Sequence, residues 1–410
     1  MEQNGWLTKS SVLNIPFLQV RTQNLTYRTA IEPFRDFKIQ LEGRWSRTDN
    51  YQELYRQDSS QTGFKSFSPV RSGNYSMSFL SFLTAFDSNS PDDNSVIFNR
   101  FRGYRKIMLD RLNAKNREER LEGQYDLNSQ DVLIPAFFAA YSGVAPDKVS
   151  FSPFVNIPLP NWRVDYNGLA TVGWFKRKFS NISIQHAYSS TYSVGNFVSS
   201  LGYEDVSLLT LNNMMYNTAT LSKGQIVRKD DATYLNQKGD EFLVPIYAMS
   251  VITFQEKFSP LIGINATTKS KISIQISYNQ DRNIGLNLAN SFVNELSNKD
   301  LVLGLGFTRA NVLVPFKVGG KRVRLKNDLK FDAKLTIRDT RTIQRKLDEA
   351  PVITNGFTQF QFRPQASYKV TERLAVTAYY DRMFNNPFVS NQFYRSTDQA
   401  GVQVRFSLSE

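Results

Sequence analysis

The side chains that could do chemistry in this chain are few and scattered. Its 410 residues include one histidine and no cysteine. His186 keeps two-residue spacing with Ile182, Ile184, Tyr188 and Tyr192, which places all five on one face of a strand. A general base needs a nucleophile or an acid within reach, and a histidine on an apolar strand face serves more often as packing. Ser and Asp are plentiful, but no G-x-S-x-G elbow presents a nucleophile. No P-loop or G-x-G-x-x-G turn is there to cradle a phosphate. The pairs Asp92 with Asp93, Asp230 with Asp231, and Asp240 with Glu241 offer the oxygens that calcium takes. Their spacing fits no EF-hand loop, so solvated turns explain them better. Without cysteine there are no disulfides, thiolate chemistry or cysteine-bound metals. The expectation is a protein that is not an enzyme, with no catalytic residue, cofactor or metal.

What the chain has instead is alternation. From Val244 to Ser409 apolar and polar residues exchange places with period two. In 271–296, Ile272, Ile274, Ile276 and Tyr278 keep one parity, and Ile284, Leu286, Leu288, Phe292 and Leu296 resume it after a polar middle. A one-residue slip or tight turn usually breaks such a phase, so the pattern predicts one strand of roughly 25 residues, about 80 Å long. Globular strands average about 5–6 residues. A soluble sandwich alternates in the same way, but arms this long, joined by short turns, suit the tall wall of a transmembrane β-barrel. The expected fold is all-β and antiparallel, a partial transmembrane barrel with a small helical insert.

Composition agrees. Apolar residues are 41% and charged residues 21%, and no run reaches the roughly 18 apolar residues of a membrane helix. The mean hydropathy of −0.39 does not exclude a barrel, because only alternate residues face lipid. The 31 Phe and 19 Tyr fit strands and interfacial girdles alike. The net charge of +13 is spread along strands, as at Lys330, Lys334, Arg338, Arg363 and Lys369, without a recognition motif, so no nucleic-acid partner is expected.

Along the chain, 17–31 and 36–52 read as a hairpin jointed at Glu32 and Pro33, and a third strand begins at Tyr75 and ends near Phe86. The period then changes. Ile97, Phe101, Tyr104 and Met108 predict a helix near 94–119, behind the acidic Asp92 and Asp93. A second helix near 129–142 starts at a Ser129 cap and stops at Gly143, with Pro135 a disturbance inside it. The Pro-rich stretch 145–162 carries Phe151, Phe154 and Trp162 and reads as an ordered, packed loop. The insert so defined covers about 91–161, within a single region spanning 1–410. Strands are expected at 162–167, 180–198 and 203–212, with a surface loop over 216–241. A meander follows: 244–257, a turn at Ser259 and Pro260, 261–268, a turn at Lys269 and Ser270, and the long 271–296. Then come a turn at Ser297, Asn298 and Lys299, strand 300–317, a turn at Gly319 and Gly320, and strands 322–347, 353–370, 374–386 and 395–409. The pattern gives about 13 or 14 strands.

Several segments are recognisable. VLIPAFFAAYSG (from Val132) and IPLPNWRVDYNGL (from Ile157) resemble the carboxy-terminal region of the SprA (Sov) family, the outer-membrane translocons of the Bacteroidetes type 9 secretion system. EPFRDFKIQL near Glu32, YSSTYSVGNF near Tyr188, FSPLIGIN near Phe258, DTRTIQRK near Asp339 and TERLAVTAYYDR near Thr371 match in the family's order. The resemblance covers essentially the whole chain. It implies a share of one very large barrel in the outer membrane of a Gram-negative bacterium. Such a barrel conducts folded cargo proteins to the cell surface and serves gliding motility. The implied partners are outer-membrane lipid, the rest of the translocon barrel, accessory outer-membrane and plug proteins at a lateral opening or in the lumen, and secreted cargo. Pro158, Pro160, Asn161, Trp162, Arg163, Pro260 and Gly263 match the family pattern, and core or turn architecture is their expected role.

The chain departs from that pattern in length. Met1 to Val20 lack the basic and apolar regions of a signal peptide, so the expectation is a downstream piece of a longer chain. The last strand, with Val402, Val404, Phe406 and Leu408, ends in Ser409 and Glu410 rather than in an aromatic residue. The alternative is a self-standing porin-like barrel of about 12–14 strands that passes small solutes.

Overall fold

Alternation decides which face of a strand is wet, and turns and pairing decide where each strand ends. The computed structural model describes residues 10–12, 14–57, 64–87, 93–118, 124–200, 203–205, 226–228, 233–235, 241–318, 320–371 and 373–407. The chain opens with β1 (Phe17–Phe34), β2 (Phe37–Gln57) and β3 (Phe64–Ser78). Helices α1 (Val96–Glu118) and α2 (Gln130–Ser142) follow, then β4 (Asn161–Tyr166), the short helix α3 (Gly173–Lys178) and β5 (Phe179–Ser199). Short strands β6 (Tyr203–Asp205) and β7 (Ile226–Arg228) pair with each other, as do β8 (Thr233–Leu235) and β9 (Glu241–Leu243). The expected strand 203–212 and loop 216–241 otherwise lie outside the described residues. The meander comprises β10 (Tyr247–Thr268), β11 (Ile272–Asn287), β12 (Phe292–Arg309), β13 (Leu313–Val318), β14 (Lys321–Arg324) and β15 (Leu329–Lys346). It ends with β16 (Val352–Lys369), β17 (Leu374–Pro387) and β18 (Arg395–Phe406).

Twelve strands make one antiparallel sheet in the order β1-β2-β3-β5-β10-β11-β12-β15-β16-β17-β18, with β4 between β2 and β5. Among the described residues β1 pairs only with β2, and β18 only with β17, so both edges are open. The pair β13–β14 is a separate hairpin at the tip between β12 and β15.

β3 and β4 are two halves of one line. On β2, Trp45 pairs with Met77 and Glu42 pairs with Asn161, so both halves run antiparallel to β2 in the same direction. β5 repeats this on its side, with Thr191 against Ser78 and Tyr188 against Trp162. The chain therefore leaves the sheet after Ser78 and resumes the same line at Asn161. The insert is accordingly 79–160, starting earlier than the expected 91. No third strand reaches Phe86; residues Phe82–Thr84 form a single 3-10 turn instead.

Both predicted helices form. Ile97, Phe101 and Met108 are buried on one side of α1, whose first turn is capped by Ser95 Oγ accepting from the Phe98 N–H at 3.3 Å. Helix α2 stops at Gly143, whose φ of +75° lies in the left-handed region that glycine adopts without strain. Pro135 stays inside α2 as a buried residue. The principal core joins α2 to the sheet. Phe137 packs on Phe254 at 5.7 Å and Phe138 meets Tyr192 edge-on at 5.2 Å, with Ile252, Ile284, Leu286 and Val293 around them. Each fully buried side chain of this size contributes about 1.5–3 kcal/mol.

Four expected strand or turn boundaries need correction. The stretch 271–296 is a hairpin: Asn287 pairs with Phe292, and the chain reverses through 288–291. Ser297, Asn298 and Lys299 are mid-strand in β12, not a turn. Ser259 and Pro260 make no turn either; β10 runs through them with an irregularity between Phe258 and Ile262 and a cis Ser259–Pro260 bond. The first hairpin turns at Arg35 and Asp36, two residues beyond Pro33. Gly320, with φ of +78°, sits in the expected tip turn, while Gly319 lies outside the described residues.

Candidate functional site

Cross-strand partners share a face, so the registers can be read as rows. Phe34 pairs with Phe37, Phe37 with Tyr166, Tyr166 with Ile184 and Ile184 with Ile264. Ile264 pairs with Ile276, Ile276 with Leu303, Leu303 with Leu335 and Leu335 with Phe362. One apolar row thus runs from β1 to β16, and on β17 and β18 its line continues as Arg382 and Asp398. Rows on either side repeat it, with Ile274, Leu305, Ala333 and Pro364 on one flank and Tyr278, Leu301, Ile337 and Phe360 on the other. These side chains are not a closed core: Leu305 is 52% exposed and Ile262 54%. The opposite face is mostly polar in this zone, as in Asp165, Gln185, Ser277, Thr336 and Gln361, with Val302 and Met383 as apolar exceptions. The sheet therefore has an exposed apolar band on one face and a hydrophilic surface on the other.

The insert lies on the banded face. β11 pairs with β12 without irregularity, so Ile272, Ile274, Ile276, Tyr278, Gln280, Arg282, Ile284 and Leu286 all point to one side. The first members belong to the band, and the last pack under α2. Between them lies a buried polar layer. Glu256 Oε1 accepts from Ser81 Oγ at 2.8 Å and Tyr188 OH at 3.0 Å, and Oε2 accepts from Arg282 Nη2 at 3.0 Å. Arg282 also donates to the Thr84 carbonyl at 2.9 Å, and Gln280 donates to the Ala85 carbonyl at 2.9 Å. These bonds bolt the 3-10 turn to the wall. A second bolt joins Arg345 to Glu295 at 3.3 Å and to the Asp93 carbonyl.

The residues that carry the sequence resemblance gather around the gap where the split line is interrupted. The Pro158 carbonyl accepts from Tyr27 OH at 3.0 Å, and Asn161 Oδ1 accepts from the Ser190 N–H at 2.8 Å. Trp162 stacks on Tyr188 with ring centroids 4.4 Å apart. Arg163 pairs with Asp165 at 2.8 Å on the polar face. Pro160 is half-buried just ahead of β4. From the other side, a Cβ on Gly263 would lie 2.7 Å from Pro260 Cγ, so the bulge closes only over glycine. His186 Nδ1 lies 2.7 Å from the Leu261 carbonyl and ties this bulge to β5. The two motifs thus meet on residues 186–190 of β5 and brace the joint of insert and sheet. On the polar face the joint opens into a cleft of about 400 Å³ that includes Arg28, Glu42, Arg163 and Lys257.

Sequence patterns missed Glu256, Arg282, Glu295 and Arg345. A signal was there: Gln280 and Arg282 interrupt an apolar parity, which marks either a wet face or a buried polar anchor.

Asp131, in the first turn of α2, is only half-buried by surface area, but the protein packed around its carboxyl outweighs that opening and burial raises its pKa to about 6. An unfolded carboxyl titrates near about 4. Between those values the folded state holds a proton that the unfolded state has released. Stability from the protonated form is complete below about pH 4 and is lost as pH rises through about 6. Asp131→Asn should remove that slope and raise the melting temperature most above pH 6. A melting difference that does not change between pH 4 and pH 7 would contradict this.

The class defined by this fold and surface is a broad, open antiparallel β wall, banded on one face and bolted there to a helical insert. Neither protein-family models nor curated proteins give any match to the chain.

Proposed function

We propose that this chain is a wall segment of an outer-membrane β-barrel that conducts folded proteins to the cell surface, in the manner of type 9 secretion translocons. The observation that carries the reading is the apolar row from Phe34 to Phe362. In β15 the band runs from Leu329 to Ile337. At the usual rise and a tilt of about 40° such a span covers roughly 21 Å, near the roughly 25 Å lipid-facing belt of outer-membrane barrels. No helix among the described residues is long and apolar enough to cross a membrane, so strands would do the spanning.

Under this reading lipid covers the band, the polar face lines the channel, and the insert stands on the outer side of the wall beyond the belt. Unpaired backbone in hydrocarbon costs several kcal/mol per group, so the open edges at β1 and β18 continue into further strands of the same barrel. A closed porin-like barrel built from this sheet alone would need β1 to pair with β18, and neither pairs with the other here. The cargo, plug and accessory proteins of such translocons are the partners proposed, and no catalytic role is assigned. The test is extraction. The chain should stay in the membrane fraction through alkaline carbonate and require detergent for release. Recovery as a monodisperse soluble protein without detergent would overturn the proposal.

A further inference from the structure

We infer that the polar face favours acidic polypeptides, which names the class of cargo for the channel-wall reading and rests on it. The acids on this face are largely neutralised. Glu42 is paired with Arg28 and Arg44, Asp165 with Arg163, Asp300 with Arg338, Asp332 with Lys330 and Asp381 with Arg363. Asp281 accepts from Asn298 Nδ2 at 2.7 Å, with Lys257 as its cross-strand neighbour and Arg338 close enough to feel its charge. Lys38, Lys257, Lys334, Lys369, Arg395 and Arg405 are exposed on the same face and form no ion pair among the described residues. The charge left over is therefore cationic.

Its placement is specific. Lys334 stands directly opposite Arg363, and because Asp381 already neutralises Arg363, the free charge of this station is that of Lys334. Lys369 and Arg405 flank Ala375 from its two neighbouring strands, roughly 10 Å apart. Arg363 and Lys369 both lie on β16, so the two cationic stations are separated by roughly 20 Å along the strand. An extended polypeptide lying along the strands would reach both with carboxylates about six residues apart. The cations alternate with Gln, Ser and Thr, which hydrogen-bond backbone and side-chain amides, and among the described residues the face has no row of aromatics on which bases could stack. Lipid belongs to the other face.

The experiment measures binding of fluorescent poly-L-glutamate to the full chain in detergent micelles, with poly-L-lysine and duplex DNA as competitors. The triple variant Lys334→Glu, Lys369→Glu, Arg405→Glu changes exposed side chains without ion-pair partners, and circular dichroism checks its fold. Its affinity should fall about tenfold or more, and wild-type binding should weaken steeply with salt. Reversing Arg102, Lys106 and Lys148 on the insert should leave binding unchanged. Equal loss from the insert variant, no loss from the sheet variant, or stronger competition by DNA than by unlabelled poly-L-glutamate would overturn the inference. Carbonate extraction of the same variants separates the two ideas. Intact membrane retention without glutamate preference sinks this inference alone, and failure of wild-type retention sinks the channel-wall reading.

Discussion

Leu303→Arg should lower the stability of the membrane-assembled protein by about 2–4 kcal/mol, the range for a cation placed at the midplane of a lipid-facing barrel wall. Leu303 lies within the apolar row, paired with Ile276 on one side and Leu335 on the other, and it is 37% exposed. In a soluble core the same change would be severe because the arginine would displace packed neighbours. Here the side chain already faces outward, so the penalty comes from the solvent it meets. The matched control is Ser277→Arg on the polar face, where, under the channel-wall proposal, a water-filled lumen would accept the charge. At about 1.4 kcal/mol per tenfold, the equilibrium between assembled and unassembled chain should shift by roughly 30-fold or more for Leu303→Arg. It should hardly move for Ser277→Arg. Urea titration in lipid vesicles reads both, and equal sensitivity at the two positions would refute the assignment of faces.

Removing one member of the buried pair Glu256–Arg282 should cost about 3–5 kcal/mol, because the survivor is left charged and without its counterion. The pair is nearly sealed, with side-chain exposures of 7% for Arg282 and 3% for Glu256. The two single changes are not equivalent. Arg282→Met leaves Glu256 with the Ser81 and Tyr188 hydroxyls, so its loss lies toward the lower end. Glu256→Leu leaves Arg282 facing only Thr84, so it should be the more damaging. Combining the two changes should recover most of the loss, since an apolar pair needs no counterion. The insert should come off the wall in the single variants, and protease cleavage within 79–160 measures that directly. Three variants with the same cleavage rate would show that the pair does not hold the insert.

The helices were legible in the sequence because their signals are local. Ile97, Phe101 and Met108 mark one face of α1, and Gly143 marks the end of α2. Strand facing was legible for the same reason. Strand ends were not, and 271–296 shows why. After a hairpin in which Asn287 pairs with Phe292, residues of unchanged parity fall on the opposite face, so Phe292 and Leu296 join the polar side while Ile284 and Leu286 stay buried. An unbroken phase therefore does not prove an unbroken strand. The converse holds at Ser259 and Pro260, where a bulge resembles a turn but keeps the phase of β10. The split line of β3 and β4 depends on partners far away in the chain, on β2 and β5, and no local pattern encodes it. The motif residues were located without their role. Their convergence on 186–190 required the sheet order.

The central claim is that one face of this sheet meets lipid and the other meets water. The absence of native cysteine permits single-cysteine spin labelling along β12, from Leu301 to Phe307, in the membrane-inserted chain. The account predicts a strict alternation. Labels at 301, 303, 305 and 307 should be relaxed by oxygen dissolved in the bilayer, and labels at 302, 304 and 306 by a water-soluble nickel complex. Uniform accessibility, or the reverse phase, would contradict it.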